Sequence, residues 1–218
     1  MGDLFEAWIG DDLLTPQALA QAADGACAQA VSAALRQYTD RGHALFVQHG
    51  NRDFLLGAAF AQTSGAQLLP DPVVLVLQGQ RIVLTHGDQL CLADHAYLRF
   101  RQMVRQPQWQ HQALAQPLAA RVQQAQALRA ASVAAQARPE NWADADPREA
   151  RRWMDRATSR WMIHGHTHRP RDHWVDGTLR QVLSDWDCDG MHGAPPRAQV
   201  LWIEVSAEAL HVSRQSLT

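Results

Sequence analysis

Histidines at the ends of apolar runs are the residues whose types and spacing could do chemistry in this chain. Three apolar runs end in His-Gly, in the stretches FVQHGN, VLTHGD and WMIHGHTH. In α/β proteins, ligands bind at the carboxyl ends of strands, because the loops there converge on one edge of the sheet. Imidazole, carboxylate and amide oxygen are ligands for manganese, iron or zinc. The pattern therefore predicts a divalent metal site. The side chains it would bring together are Asn51, His86, Asp88, His166 and His168.

The first histidine of WMIHGHTH differs from the two that follow it. An isolated histidine is more often a partly buried, hydrogen-bonded side chain than a ligand. His164 lies inside the predicted strand rather than beyond its end, so we interpret it as structural. His166 and His168 lie in the loop, where the repeated strand ending favours a site.

Composition and charge narrow the class of protein. A chain of 218 residues can form one domain with an inserted subdomain, and we predict a single domain over residues 1–218. The 20 basic and 22 acidic side chains nearly balance, so no global field would recruit nucleic acid. The three cysteines include no CxxC pair, which favours a reducing cytosol over a disulfide framework. No apolar run reaches the ~18 residues of a membrane span, and the acidic N-terminal segment is unlike a signal peptide.

Periodicity and turn signals predict the elements that must position these residues. An Ala-rich helix is expected from Thr15, before Pro16, to Tyr38. The other elements predicted in this half are a strand at Ala44–Val47, a helix at Asp53–Ser64 closed by Gly65, and a hairpin of Val73–Leu77 with Arg81–Thr85 around Gln78-Gly79-Gln80.

The second half begins with a long segment, Asp94 to about Arg138, that is rich in Ala, Gln and Arg and is predicted to be helical. Pro139–Pro147 should break it. The elements predicted after the break are a helix at Arg148–Ala157 and strands at Trp161–Ile163, Leu179–Leu183, Val200–Val205 and Ala209–Val212.

One face of the long helical segment is apolar. Its residues are Leu114, Leu118, Val122, Ala125 and Leu128, with Arg121 and Arg129 off that face. We interpret the stripe as packing against the body of the protein. Contact of an amphipathic helix with a membrane surface is the alternative.

Four ordered blocks resemble a known family. Gly2-Asp3, Gly50-Asn51, His86-Gly87 and Gly165-His166-Thr167-His168 are similar to the later blocks of the calcineurin-like metallophosphoesterase signature, DxH, GD, GN, H and GHxH. The longer stretches GDLFEAWIGDD, HGNRDFLLG, HGDQLCLADHAYLRFR and IHGHTHRP resemble the members that hydrolyse UDP-2,3-diacylglucosamine in lipid A biosynthesis. The resemblance implies an α/β fold, a β-sandwich flanked by helices, with a helical lid inserted at residues 94–157.

The resemblance also implies two manganese ions at the strand ends. Asp3 would bridge them, and His168 would belong to the first metal. The second metal would take Asn51, His86 and His166. The same five residues are the implied catalytic set, because a metal pair activates water and neutralises phosphoryl charge.

The implied substrate contacts surround this centre. Besides Asn51 and His166, they are Arg52, Asp94, Arg129 and Ser132. Arg52 stands where many relatives carry His, and its planar guanidinium suits a pair of diphosphate oxygens rather than proton transfer. The implied products are UMP and 2,3-diacylglucosamine 1-phosphate. The implied setting is a monomer, peripheral on the cytoplasmic face of the inner membrane, without nucleic acid.

The front of the chain departs from the family pattern. Met1 falls directly before the GD block, so the DxH block and the first strands of the sandwich are missing from this sequence. We expect a longer natural N-terminus, and in the chain as written a first metal site that lacks two ligands. Two alternatives stay open: a non-catalytic remnant that binds a metal or a lipid, and a metallophosphoesterase for another nucleotide diphosphate compound or a phosphodiester.

Overall fold

The computed structural model describes residues 1–18, 22, 24–136, 143–188 and 195–218. They form two compact units, each built from separate stretches of chain. The first comprises Met1, Asp71–Cys91 and Asp144–Thr218, and the second Gly2–Pro70 and Leu92–Ala143. Helices and strands mix in both, so the predicted α/β class is confirmed.

The elements are numbered in chain order. The helices are α1 Asp24–Asp40, α2 Ala58–Ser64, α3 His95–Val104, α4 Pro107–Leu114, α5 Leu118–Gln136 and α6 Pro147–Arg156. The strands are β1 Phe46–Gln48, β2 Gln67–Leu69, β3 Val73–Leu77, β4 Gln80–Thr85, β5 Trp161–His164, β6 Arg171–Val175, β7 Thr178–Val182, β8 Gln199–Val205 and β9 Leu210–Ser216. Short 3-10 helices lie at Asp11–Leu14 and Asp88–Leu90.

The first unit contains a mixed five-stranded sheet in the order β3-β4-β5-β7-β6. Strand β5 pairs in parallel with both β4 and β7, so the carboxyl ends of these three strands point to one edge. The hairpins at the sheet's two ends turn at Gln78-Gly79 and Asp176-Gly177, where all four residues have positive φ. Such turns match the twist of paired strands. The antiparallel pair β8-β9 forms a separate sheet.

One face of the five-stranded sheet is packed against α6. Val83 and Met162, from β4 and β5, join Ala150 and Met154 of α6 in a buried cluster with Leu90. The α6 helix matches its prediction within one residue at each end, and Asp146 caps it by accepting the N–H groups of the first turn. This packing fixes the two strands that end in the histidine motifs.

The second unit has an aromatic core beside a short parallel pair, β1-β2. Phe5, Trp8 and Phe60 are buried, and their ring centroids lie 4.6 to 5.9 Å apart. Three of the predicted stripe residues pack on this core: Leu118, Val122 and Ala125. The other two, Leu114 and Leu128, are exposed. Packing against the body is therefore confirmed for the middle of the stripe.

Three predicted helices were wrong in extent. The helix expected over Thr15–Tyr38 is found as α1 from Asp24 to Asp40. Thr15 instead ends the preceding 3-10 turn, because its hydroxyl and N–H both bond the Asp12 carbonyl. Residues 19–21 and 23 of that prediction lie outside the described residues. The helix expected from Asp53 begins at Ala58, because the Asp53 carboxylate is bound in the loop before it.

The long helical prediction was also too simple. Residues 95–136 form the three helices α3, α4 and α5, because Pro107 and Pro117 each interrupt the helical hydrogen bonding. Residues 137–142 lie outside the described residues. Helices α3 to α5 belong to the second unit and α6 to the first, and the lid assignment for 94–157 stays a prediction. Strand β6 was not predicted.

Arg121 was expected off the packed face of α5, yet its side chain is only 6% exposed. Its guanidinium donates to the carbonyls of Ile9 and Gln116 and forms a two-pronged ion pair with Asp12. The long side chain buries its methylenes while its charge is fully hydrogen-bonded, which a pattern of apolar residues does not reveal. Arg121 thus ties the first turn of α5 to the Ile9–Asp12 segment.

The described part of the chain was examined for disulfides and for membrane-spanning helices, neither of which the sequence predicts. Its cysteines, Cys27, Cys91 and Cys188, are all free thiols. No helix within the described ranges has the length and apolar character needed to cross a bilayer.

Asp11 caps α2 across a long sequence separation, and its removal gives a stability prediction. Its carboxylate accepts the N–H groups of Gly57, Ala59 and Phe60 and the Trp8 indole N–H. We expect Asp11→Ala to lower the free energy of unfolding by about 2 kcal/mol, the upper range for an N-terminal cap. Urea denaturation measures it.

The control for Asp11→Ala is Asp40→Ala. Asp40 forms an ion pair with Arg36, and both side chains are exposed. Such a surface pair contributes at most about 0.5 kcal/mol to the free energy of unfolding. Equal losses in the two variants would contradict the capping role.

Candidate functional site

The first unit gathers histidines at the shared edge of β4 and β5. His86 follows β4 and is 1% exposed, and His166 follows β5 with its ring centroid 5.0 Å from that of His86. The Gly165 N–H donates to the His86 carbonyl at 2.9 Å, which continues the strand pairing into the loops. The repeated strand endings therefore bring together these two predicted ligands.

Burial keeps the His166 ring neutral. Desolvation, followed by the nearby His86, lowers the pKa of His166 to about 3. A neutral imidazole has a free lone pair, which is the form that binds a metal.

His168 lies two residues after His166 in the same loop, and it is close to an acidic residue. Its Nδ1 atom is 3.7 Å from an Asp185 carboxylate oxygen, and Arg197 holds that carboxylate with two side-chain hydrogen bonds. The Arg197 contact is the main cause of the lowered pKa of Asp185. A fixed carboxylate this close to a histidine favours one orientation of its ring. Asp185 carried no motif in the sequence and was missed.

His164 lies inside β5 and has a structural environment, as predicted. Its side chain is fully buried, its Nδ1 is 2.9 Å from the Gly165 carbonyl, and Arg180 donates to its Nε2 at 2.9 Å. Desolvation lowers the pKa of His164 to about 4, so the ring is neutral near pH 7. A Cβ on Gly87 would lie 2.8 Å from His164 Nδ1, and Gly87 has φ +105°, so only glycine fits after His86.

The second unit places Asp3 against the loop that carries Asn51. The Arg52 N–H donates to Asp3 Oδ1 at 2.9 Å, and a Cβ on Gly50 would lie 2.0 Å from the same oxygen. Glycine at position 50 is thus required for the close approach. Asn51 lies between Gly50 and Arg52 in the chain, so its backbone belongs to the loop segment that contacts the Asp3 carboxylate.

Asp53 joins the two loops of this region. It is fully buried, and its carboxylate accepts the Leu4 N–H at 2.7 Å and the Gly50 N–H at 2.6 Å. Asp53 therefore fixes the backbone next to both Asp3 and Asn51. The residue pattern predicts only a helix start at Asp53 and not this role, because its partner Leu4 is 49 residues away in the chain.

The predicted substrate residues of the second unit are two arginines that share one carboxylate, a serine on the same helix as one of them, and an aspartate that caps another helix. Arg52 and Arg129 both contact the carboxylate of Glu6, at 2.8 and 2.5 Å. Ser132 is exposed on α5, one turn beyond Arg129, so both face the same side of that helix. Asp94 caps α3 by accepting the Tyr97 N–H at 2.9 Å, a contact that accounts for part of its hydrogen-bonding capacity.

Backbone strain occurs at three of the predicted metal ligands. Asp3, His166 and His168 have φ values of 56°, 66° and 53°. The remaining described residues other than glycine with positive φ are two hairpin-turn residues and Thr158, which follows the C-cap residue of α6, Ala157. Left-handed backbone outside turns and helix ends costs free energy and clusters at functional sites.

Comparison with known proteins gives the family. No family model matches the chain. A UDP-2,3-diacylglucosamine hydrolase of Cellvibrio japonicus is 45% identical over 195 residues, which cover 87% of this chain and 77% of that protein. Proteins of the same name from Bordetella parapertussis and from Xanthomonas oryzae pv. oryzae are 42% identical over 216 residues and 46% identical over 198 residues. They are covered over 78% and 76% of their lengths, by 96% and 85% of this chain.

The resemblance of the longer stretches to the hydrolases of UDP-2,3-diacylglucosamine is borne out. The chain belongs to the UDP-2,3-diacylglucosamine hydrolase family. An archaeal phosphodiesterase structure aligns over 84% of this chain and 74% of its own, with a TM-score of 0.39 and 13% identity, and the family assignment depends on the sequence relatives alone.

Proposed function

We propose that this protein hydrolyses the diphosphate bond of UDP-2,3-diacylglucosamine to UMP and 2,3-diacylglucosamine 1-phosphate, a step of lipid A biosynthesis. The observation that carries the proposal is identity of 42% and above, over most of the chain, to three hydrolases named for this substrate. The histidines at the strand ends and the paired arginines of the second unit supply groups that such a reaction needs.

The proposed metal ligands are Asp3, Asn51, His86, His166 and His168. The donor set fits a divalent ion of the manganese type, because it offers imidazole, carboxylate and amide oxygen and no thiolate. Burial keeps His166 unprotonated, and the strained backbone at Asp3, His166 and His168 supports a role beyond packing. We propose that Asp3, Asn51, His86 and His166 would hold the second Mn²⁺ ion of the family pattern, while the first ion would keep only Asp3 and His168 in this chain.

When bound, such a metal pair lowers the pKa of a water molecule and neutralises charge on the phosphoryl oxygens. The protein's own groups bind and orient the substrate. Arg52 and Arg129 are the proposed clamp for the diphosphate, since a guanidinium stays charged and donates paired N–H groups to phosphate oxygens. Ser132 adds a hydroxyl on the same side of α5 as Arg129. Asp94 is proposed as a further contact, from its place in the matching block.

The acyl chains of the substrate need an apolar surface. Helices α3 to α5 carry exposed apolar side chains at Met103, Leu114 and Leu128. We propose that these helices receive or approach the acyl chains, and that the protein acts as a monomer, peripheral on the cytoplasmic face of the inner membrane. This is the setting in which a diacylated sugar nucleotide would be met.

The test of the proposed function is UMP release by the purified protein with added Mn²⁺. We expect UDP-2,3-diacylglucosamine to be cleaved at least about a hundredfold faster than UDP-glucose, because burying even a few methylenes of each acyl chain contributes several kcal/mol. Similar rates for the two substrates would point to another nucleotide diphosphate compound. Absence of UMP from a folded protein would favour the non-catalytic alternative.

A further inference from the structure

Glu6 is a carboxylate that the proposed reaction does not use, yet it contacts both arginines of the proposed clamp. Its Oε2 atom lies 2.8 Å from Arg52 Nη1 and 2.5 Å from Arg129 Nη1. A single oxygen therefore accepts N–H groups from two guanidinium groups. The two arginines come from different elements, a loop after β1 and helix α5.

The contact is poorly suited to stabilising the fold. The Glu6, Arg52 and Arg129 side chains are 58%, 33% and 48% exposed. Ion pairs with this exposure are screened by water and contribute little to the free energy of unfolding. The effect of Glu6 is therefore on the positions of the two guanidinium groups, since its contribution to stability is small.

The two arginines differ in how they are held. The Arg52 backbone N–H is bonded to Asp3, and its Nε lies 3.7 Å from the same carboxylate, so Arg52 has a second anchor. Arg129 projects from helix α5 and forms its ion pair with Glu6. Two guanidinium groups repel one another, and without an anion between them Arg129 gains freedom to move away.

We propose that Glu6 is a positioning residue, which holds Arg52 and Arg129 on one point so that an incoming phosphate group meets both at once. The inference rests on the proposed function and deepens it, because it says what holds the two arginine side chains in place before the substrate binds. A carboxylate oxygen shared by two guanidinium groups has the hydrogen-bond pattern of a phosphate oxygen. The substrate then avoids most of the entropy cost of ordering two long side chains.

The first test is Glu6→Gln, which keeps the side-chain size and removes the charge. We expect KM for UDP-2,3-diacylglucosamine to rise about five- to tenfold, the cost of ordering one or two side chains, with kcat within about twofold. The matched control is Glu204→Gln, at an exposed position on β8, which should change neither constant. An unchanged or lowered KM in Glu6→Gln would overturn the inference.

A double-mutant cycle separates positioning from a purely structural role. In the Arg129→Gln background, Glu6→Gln should raise KM by less than about twofold, because Arg129 is gone and Arg52 is also held by Asp3. A rise as large as in the wild-type background would mean that Glu6 acts by some other route. The urea midpoint of Glu6→Gln should match that of the wild type.

A binding measurement keeps this inference distinct from the proposed function. UMP titrated into the manganese-loaded protein by calorimetry should bind about five- to tenfold more weakly in Glu6→Gln than in the wild type. This measurement does not need turnover. If the wild type releases no UMP from the substrate, the proposed function fails, while equal UMP affinity in the two proteins overturns the role of Glu6.

Discussion

His86→Ala is expected to lower the rate of UMP release by at least about a hundredfold, with the fold retained. The ring is buried at the end of β4 and next to His166, so its loss removes a proposed ligand rather than a surface contact. Because metal-bound water and phosphoryl charge neutralisation contribute several kcal/mol to such reactions, losing a ligand costs orders of magnitude in rate. Asn51→Ala should behave alike.

The measurement pairs steady-state UMP release with the manganese content of the purified variant. His43→Ala is the matched control, since His43 is an exposed histidine stacked on Tyr38 and has no place in the proposed site. It should keep full activity and metal content. Full activity in both His86→Ala and Asn51→Ala would rule out the proposed metal site.

Asp53→Asn is expected to lower both stability and activity. The carboxylate accepts two backbone N–H groups in a fully buried position, and the asparagine side chain can present only one oxygen to them. Hydrogen bonds to a buried charge contribute about 1.5 to 3 kcal/mol each, so we expect a loss of about 3 kcal/mol in the free energy of unfolding. The loops that carry Asp3 and Asn51 lose their common anchor, and manganese affinity should fall at least about tenfold.

Urea denaturation and a manganese titration check the two parts of this prediction. Asp155→Asn is the control, because Asp155 forms an exposed pair with Arg151 on α6 and should cost less than about 0.5 kcal/mol. If Asp53→Asn lowered stability but left manganese affinity unchanged, Asp53 would be structural only. If neither changed, the proposed anchor would be wrong.

The strand endings show what could be predicted from the sequence. Continuous apolar runs closed by His-Gly placed β4 and β5 within one or two residues, because buried parallel strands are apolar on both faces. Their parallel pairing brings His86 and His166 together, as the pattern predicted. The hairpin at Gln78-Gly79 was predictable because Gly79 adopts positive φ readily and β-branched runs flank the turn.

The misses have a common physical cause. Asp11, Asp53 and Glu6 act on partners more than 40 residues away in the chain, and no local pattern of residues encodes such contacts. The composition of the segment from Asp94 to about Arg138 predicts one helix, whereas the two prolines within it divide it into three. The positive φ of His166 and His168 was also hidden, since residues other than glycine adopt it only when tertiary contacts impose it.

The burial of Arg121 has a consequence for how α5 can move. Its guanidinium is bonded to Ile9, Gln116 and Asp12, so the first turn of the helix is fixed. Val122 and Ala125 pack on the aromatic core and hold the next turns. Arg129 lies one turn beyond Ala125, and about 12 Å beyond Arg121 at the rise of an α-helix. Any bending of α5 that moves Arg129 would therefore have to begin beyond Ala125.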